Sequence, residues 1–231
     1  MCNQTDSIKL HIFFLTLLIS STLFAQQHDT IFLTRQVADT PYASYHAVFV
    51  DTSMKYKTDL TNFSFNNFDS ATYFDQLTNL RPLKGKRHLF NNFPKKWIAL
   101  YQLKGKHYLY RPSDFGYHFR FEVNDSTTID FTMEGPEPSR LDKISFVSLT
   151  HALIDRTNYW EGSRVAIKLV DTARGIAVFT FCPTKSKKEG YQVLMVDVKK
   201  AHMFPTIVNY CPTDKQPEFD FDKIDFKSLL K

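Results

Sequence analysis

Glycine is scarce in this chain, with seven residues in 231, and cysteine is scarcer, with three. So few glycines exclude a fibrous glycine repeat. Neither Gly85-Lys86 nor Gly105-Lys106 is long enough to be a phosphate-cradling loop. Long apolar runs are also missing. The longest covers residues 10–25 and contains His11, which is short of the ~20 apolar residues a membrane-spanning helix needs.

Catalytic signatures are absent too. Gly162-Ser163-Arg164-Val165-Ala166 lacks the second glycine of a nucleophile elbow. There is no His-Glu-x-x-His, and the eight histidines show no ligand spacing, so no metal and no cofactor is expected. Asp220-Phe221-Asp222 lacks the glycine and the closing glutamate of a calcium loop and reads as a solvated acidic tail.

What the N-terminus does contain is a lone Lys9, a short apolar stretch and Ala25 before two glutamines. Those are the parts of a signal peptide. The expectation is removal of residues 1–25, a secreted or periplasmic location, and one globular domain over 26–231 with no transmembrane span. Phenylalanine is abundant at 22 residues, which favours a large packed core over disorder. Cys182 and Cys211 survive cleavage, each followed by Pro-Thr. An even count in an oxidising compartment suggests one disulfide, two free thiols being the alternative.

Period-two alternation dominates from residue 97 onward and signals strands with one buried face. Phe119, Phe121 and Val123 alternate with Arg120 and Glu122, then Asn124-Asp125-Ser126 supplies a turn before Ile129 and Phe131, which alternate with Asp130 and Thr132. Val165–Val170 and Ile176–Phe181 flank Asp171–Gly175 as a second hairpin. Further strands are expected at 31–37, 45–50, 144–149, 191–198 and 206–210, with short helices near 69–80 and 222–230. The fold class is all-β and mainly antiparallel, a sandwich or barrel with one or two minor helices.

The distinctive segment is 81–111. It holds nine basic residues and no acid, so the chain's +5 conceals a basic block and a net acidic remainder. Leu83-Lys-Gly-Lys-Arg-His-Leu-Phe90 recurs as Leu103-Lys-Gly-Lys-His-Tyr-Leu-Tyr110. In the second copy Lys104-Gly105 is the expected two-residue turn of a hairpin pairing Leu103 with Lys106, Tyr101 with Tyr108, Leu100 with Leu109 and Ala99 with Tyr110. One face would then carry Trp97, Tyr101, Tyr108 and Tyr110, with Lys84, Lys86, Arg87, Lys104 and Lys106 around it. Aromatics at strand spacing are commonly core. An open aromatic face with a cationic rim would instead suit an anionic amphiphile or glycan, and the secreted address disfavours nucleic acid.

The leading expectation is therefore a non-enzymatic binding protein acting through 81–111, with an anionic ligand or surface as partner. One alternative is a secreted hydrolase using Asp114, His118 and Glu134, with Glu137 nearby at the strand ends. A second alternative is a protein-interaction module. Oligomeric state is not legible from the residues.

Overall fold

Four runs in the chain are apolar almost without interruption: Trp97-Ile98-Ala99-Leu100, Ile129 to Phe131 around Asp130, Ile176 to Phe179, and Val193 to Val196. A strand of that kind has both faces covered. The computed structural model, which describes residues 31–36, 46–80, 93–113, 119–132, 134–159, 161–184, 190–212 and 216–231, shows why. These strands form the wall between the inside of a barrel and a second layer.

The strands are β1 Ile31–Gln36, β2 His46–Asp51, β3 Lys96–Ala99, β4 Tyr101–Leu103, β5 Lys106–Arg111, β6 Arg120–Val123 and β7 Thr127–Thr132, continuing through β8 Gly135–Ser148, β9 His151–Thr157, β10 Gly162–Asp171, β11 Ile176–Pro183, β12 Tyr191–Asp197 and β13 Thr206–Tyr210. Eight of them close an antiparallel barrel in the order β3-β6-β7-β8-β9-β10-β11-β12 and back to β3. Sequential neighbours pair, except that the β4–β5 hairpin leaves the barrel between β3 and β6. That hairpin joins β1, β2 and β13 in a second, five-stranded sheet.

Short helices fill the remaining edges: α1 Lys57–Thr61, α2 Asn67–Asn79, α3 Phe226–Leu229 and a 3-10 turn at Val198–Met203. This is more helix than expected, though each piece is minor. The helix expected near 69–80 begins earlier, with Asn66 capping α2 and its side chain accepting from the Asp69 N–H. No helix among the described residues is long and apolar enough to cross a membrane.

Alternation sorts the side chains into two cores. Trp97, Phe121, Phe179, Ile154, Val165 and Met195 point into the barrel, where Phe179 meets the edges of Trp97 and Phe121 at 5.2 and 5.4 Å. Ile98, Phe131, Val178, Leu194 and Val196 point outward against Leu60, Phe63, Leu109 and Phe204. An interior filled in this way is a packed core.

The expected register of the 101–108 hairpin is observed, Tyr101 opposite Tyr108 and Leu103 opposite Lys106. Lys104 and Gly105 both have positive φ, 50° and 72°, the turn whose twist matches that of the flanking strands. The pairing does not reach Ala99 and Leu100, which is a correction. Ala99 pairs with Met195 of β12, and the amide of Leu100 donates to the carbonyl of Leu194. Tyr110 instead lies opposite Ile207 in a parallel pair between β5 and β13. Leu100 is thus where the chain crosses from barrel to second sheet.

Candidate functional site

The aromatic face of the hairpin has an occupant. Tyr101, Leu103 and Tyr108 pack with Phe219 and Phe221 of the C-terminal segment, and the Phe221 ring lies 4.6 Å from Tyr101 and 5.0 Å from Tyr110. The buried Tyr110 hydroxyl donates to Glu218 Oε2 at 2.7 Å and accepts from the Asn209 amide and the Phe219 N–H, both at 3.1 Å. Asp222 completes the strap, its N–H donating to the Gln102 carbonyl and its carboxylate accepting from the Gly105 N–H. The acidic-aromatic run Glu218-Phe-Asp-Phe-Asp222 is thus the amphiphile that covers the groove, rather than the solvated tail it resembled.

Trp97 is not at a surface either. It is buried inside the barrel, and its indole N–H donates to the Pro94 carbonyl at 2.9 Å. Lys104 and Lys106 remain exposed at the turn, while Lys84, Lys86 and Arg87 lie outside the described residues. The expected disulfide is not formed: Cys182 and Cys211 are not joined to one another, and the Cys211 sulfur accepts from the Gln216 side-chain amide at 3.4 Å. Cys182 lies on barrel strand β11 and Cys211 just after β13 of the other sheet, so the repeated Cys-Pro-Thr reflects two strand ends rather than a juxtaposition.

Burial pushes the Tyr110 phenol up to about 12; the Phe219 N–H and the Asn209 amide pull it down, and Glu218 adds to the rise. The native state therefore holds this proton above the ordinary value near 10. Stability should be level up to about pH 10 and fall by about 2–3 kcal/mol between about pH 10 and 12, as the unfolded phenol ionises first. Thermal melts of the protein and of Tyr110→Phe across that range check this. The variant should lack that part of the slope while starting about 1–3 kcal/mol lower, with the partners of the hydroxyl left unmatched.

The polar cluster that the structure does assemble is elsewhere, at one mouth of the barrel. Asp130 of β7 lies opposite Glu137 of β8, and Thr128 opposite Ser139. Thr128 and Asp130, which alternate with Ile129 and Phe131, face the barrel lumen instead of bulk water, whereas Thr132 is exposed. Arg156 of β9 reaches past β8, donating to Asp130 Oδ2 at 2.5 Å and Thr128 Oγ1 at 3.2 Å, while its Nε donates to Ser163 Oγ at 3.1 Å. Its guanidinium also lies over the rings of Phe121 and Phe181 at 5.4 and 5.5 Å.

Asp130 Oδ1 is buried without a hydrogen-bond partner among the described residues. Burial raises the Asp130 carboxyl above its usual range, although the charge and hydrogen bond of Arg156 pull it down. Tyr191, stacked on Phe181 at 4.8 Å, is also raised, first by burial and then by the Asp130 charge.

A pocket of about 230 Å³ opens beside this cluster. It is lined by Gln76, Asn79 and Leu80 at the end of α2, by Asp130, Glu137, Pro138 and Ser139 of β7 and β8, and by Asn158 and Tyr159 after β9. Tyr159 is 65% exposed. Among the hydrolase candidates, Glu134 sits exposed in the β7–β8 turn, its N–H donating to Thr132 Oγ1; Asp114 and His118 lie outside the described residues. No cluster of three or more His, Cys, Asp or Glu side chains among the described residues is placed to hold a metal.

Sequence reading missed Asp130, Arg156, Asn158 and Tyr159. A signal was present in two charges at lumen-facing strand positions, but only closure of the barrel makes those positions interior. No protein-family model matches the chain, and no significant match to it is found among curated proteins or solved structures.

Proposed function

We infer that this is a binding protein rather than an enzyme, acting outside the cytoplasm, and that its ligand is a small neutral glycan or polyol held at the polar mouth of the barrel. The observation that carries this reading is Asp130 Oδ1, a buried carboxylate oxygen with no partner among the described residues, beside a pocket lined by further amide and carboxyl groups. Such an oxygen costs free energy until a donor reaches it. A sugar hydroxyl is such a donor, Gln76, Asn79, Glu137 and Asn158 are suited to neighbouring hydroxyls, and the Tyr159 ring offers a flat apolar face for the sugar ring. Among the described residues that line this mouth, Asp130 and Glu137 are acidic and Arg156, already bonded to Asp130, is the one cation beside them, which favours a neutral ligand over an anionic one. The location follows from residues 1–25, read as a signal peptide.

Thermal shift against a panel of neutral mono- and disaccharides tests the proposal. At least one sugar should raise the melting temperature in a concentration-dependent way, and Glu137→Gln and Tyr159→Ala should remove the rise while leaving the unliganded melt nearly unchanged. Sugars without effect on the native protein, or a rise that survives both substitutions, would sink it. The hydrolase reading keeps one supporting observation, the Asp130 and Glu137 carboxyls opposed on neighbouring strands. It requires release of reducing sugar from a disaccharide, which the binding reading excludes.

A further inference from the structure

At the opposite end of the barrel, β7 pairs with β8 only as far as Thr127 and Arg140, so from Asp142 onward β8 runs beside β9 alone. The two strands end in a hairpin whose turn is Leu149-Thr150, between the paired Ser148 and His151. Such turns are ordinarily built from Gly, Asn or Asp, yet Leu149 stands there 96% exposed. Just before it the register shifts. Phe146 pairs with Ala152 and Ser148 with His151, which leaves Val147 as an extra residue. Bulges of this kind re-aim a side chain, and Val147 is 60% and Phe146 43% exposed. Turn and bulge together leave Val147 and Leu149 exposed at the end of the hairpin, while the Phe146 ring packs on Phe93 at 5.6 Å.

The hairpin itself carries Lys143 and no acid from there to Ile154. At the same end of the barrel, Asp125 is paired with Lys95 and Asp171 with Arg174, and the largely buried Asp197 accepts from the Lys199 N–H. Lys199 and Lys200, in the 3-10 turn that follows β12, have no acidic partner among the described residues. A convex apolar tip offers no groove, so a folded partner would need a pocket shaped to it, whereas acyl chains close around any protrusion. We propose that the β8–β9 tip inserts into a lipid surface carrying anionic headgroups, with Leu149 and Val147 entering the acyl boundary and Lys199 and Lys200 meeting the headgroups. The barrel mouth then faces away from the lipid.

Cosedimentation with vesicles of phosphatidylcholine, with and without phosphatidylglycerol, tests this. The protein should pellet with the mixed vesicles, less with phosphatidylcholine alone and less in high salt. Val147→Ser/Leu149→Asp should lower the partition coefficient about tenfold or more, with an unchanged melting temperature since neither side chain is buried. Lys199→Gln/Lys200→Gln should weaken binding to the mixed vesicles alone. A Leu149→Trp variant should show a blue-shifted emission on mixing. The proposal is overturned if the protein stays in the supernatant with both vesicle types, or if the Val147/Leu149 variant pellets as well as the native chain. It is equally overturned if light scattering shows a dimer that this variant dissolves, since the tip would then be a contact between two copies.

Discussion

Replacing Arg156 by methionine is expected to destabilise the protein by about 3–5 kcal/mol, the cost of leaving a buried charge without its partner. Among the described residues Arg156 is the sole cation bonded to Asp130, and one oxygen of that carboxylate is already buried without a partner there. The loss should depend on pH, and its sign follows from the direction of the shift. Burial already holds the native Asp130 carboxyl above its unfolded value. Its contribution is therefore most favourable below the ordinary carboxylate value near 3.9 and is lost as pH rises through the native value. Removing Arg156 takes away the pull that limits the rise, so the gap between variant and native protein should widen from about pH 4 to pH 7. Asp130→Leu/Arg156→Met should recover most of the loss, because a buried ion pair is often replaceable by apolar groups of similar volume. Urea unfolding of the two single variants and the double at both pH values checks this. If Arg156→Met costs under about 1 kcal/mol at neutral pH, the pair is solvated and the barrel mouth is wetter than its geometry indicates.

Removing the rings of the C-terminal strap should have an effect of comparable size in a different place. Phe221 fills the angle between Tyr101 and Tyr110 and meets Phe219 at 4.9 Å. Both rings are only partly buried, so Phe219→Ala/Phe221→Ala should cost about 3–5 kcal/mol in total rather than the full large-to-small penalty at each site. Since the strap covers the second sheet and leaves the barrel interior untouched, the opening should be local. Hydrogen exchange should accelerate in β4, β5 and β13 while β10 and β11 keep their protection, and fluorescence from the buried Trp97 should hardly change. Equal loss of protection in both sheets would mean that barrel and second sheet unfold as one cooperative unit.

Hairpins with their turn inside the reading window were legible. Asn124–Ser126, Asp171–Gly175 and Lys104-Gly105 all close hairpins in the structure, because turn residues and the alternation beside them act over a few positions. Lys104-Gly105 was informative down to the register of Leu103 with Lys106 and Tyr101 with Tyr108, but not as to where the pairing stops, since Leu100 and Ala99 leave for the barrel. The β8–β9 hairpin was only half seen. Its turn carries Leu149 where a turn residue is expected, and β8 was expected only over 144–149. Its start holds Pro136 and Pro138, which lie where β8 is paired with β7 and not yet with β9, so one side of the strand asks for no N–H there.

The site was legible only in its parts. Arg156 and Asp130 are 26 positions apart on strands separated by β8, so nothing local relates them. The aromatic face of the hairpin was read as either core or an open face for an external anionic ligand, and the chain's own Phe219 and Phe221 pack on it. Its occupant is more than a hundred residues downstream, Glu218 on Tyr110 being 108 positions away.

The antiparallel β class, the individual hairpins and the basic imbalance of 81–111 were thus determined by the sequence alone, because each depends on neighbours within about ten residues. Only the tertiary structure decided that the sheet closes on itself. Closure turned the polar side of β7 and β9 into a lumen, placed Asp130 against Arg156, sent the chain into the second sheet at Leu100 and laid Phe219 and Phe221 over the tyrosines. Those outcomes depend on which distant strands exclude water from one another, and that is a property of the whole chain rather than of any window within it.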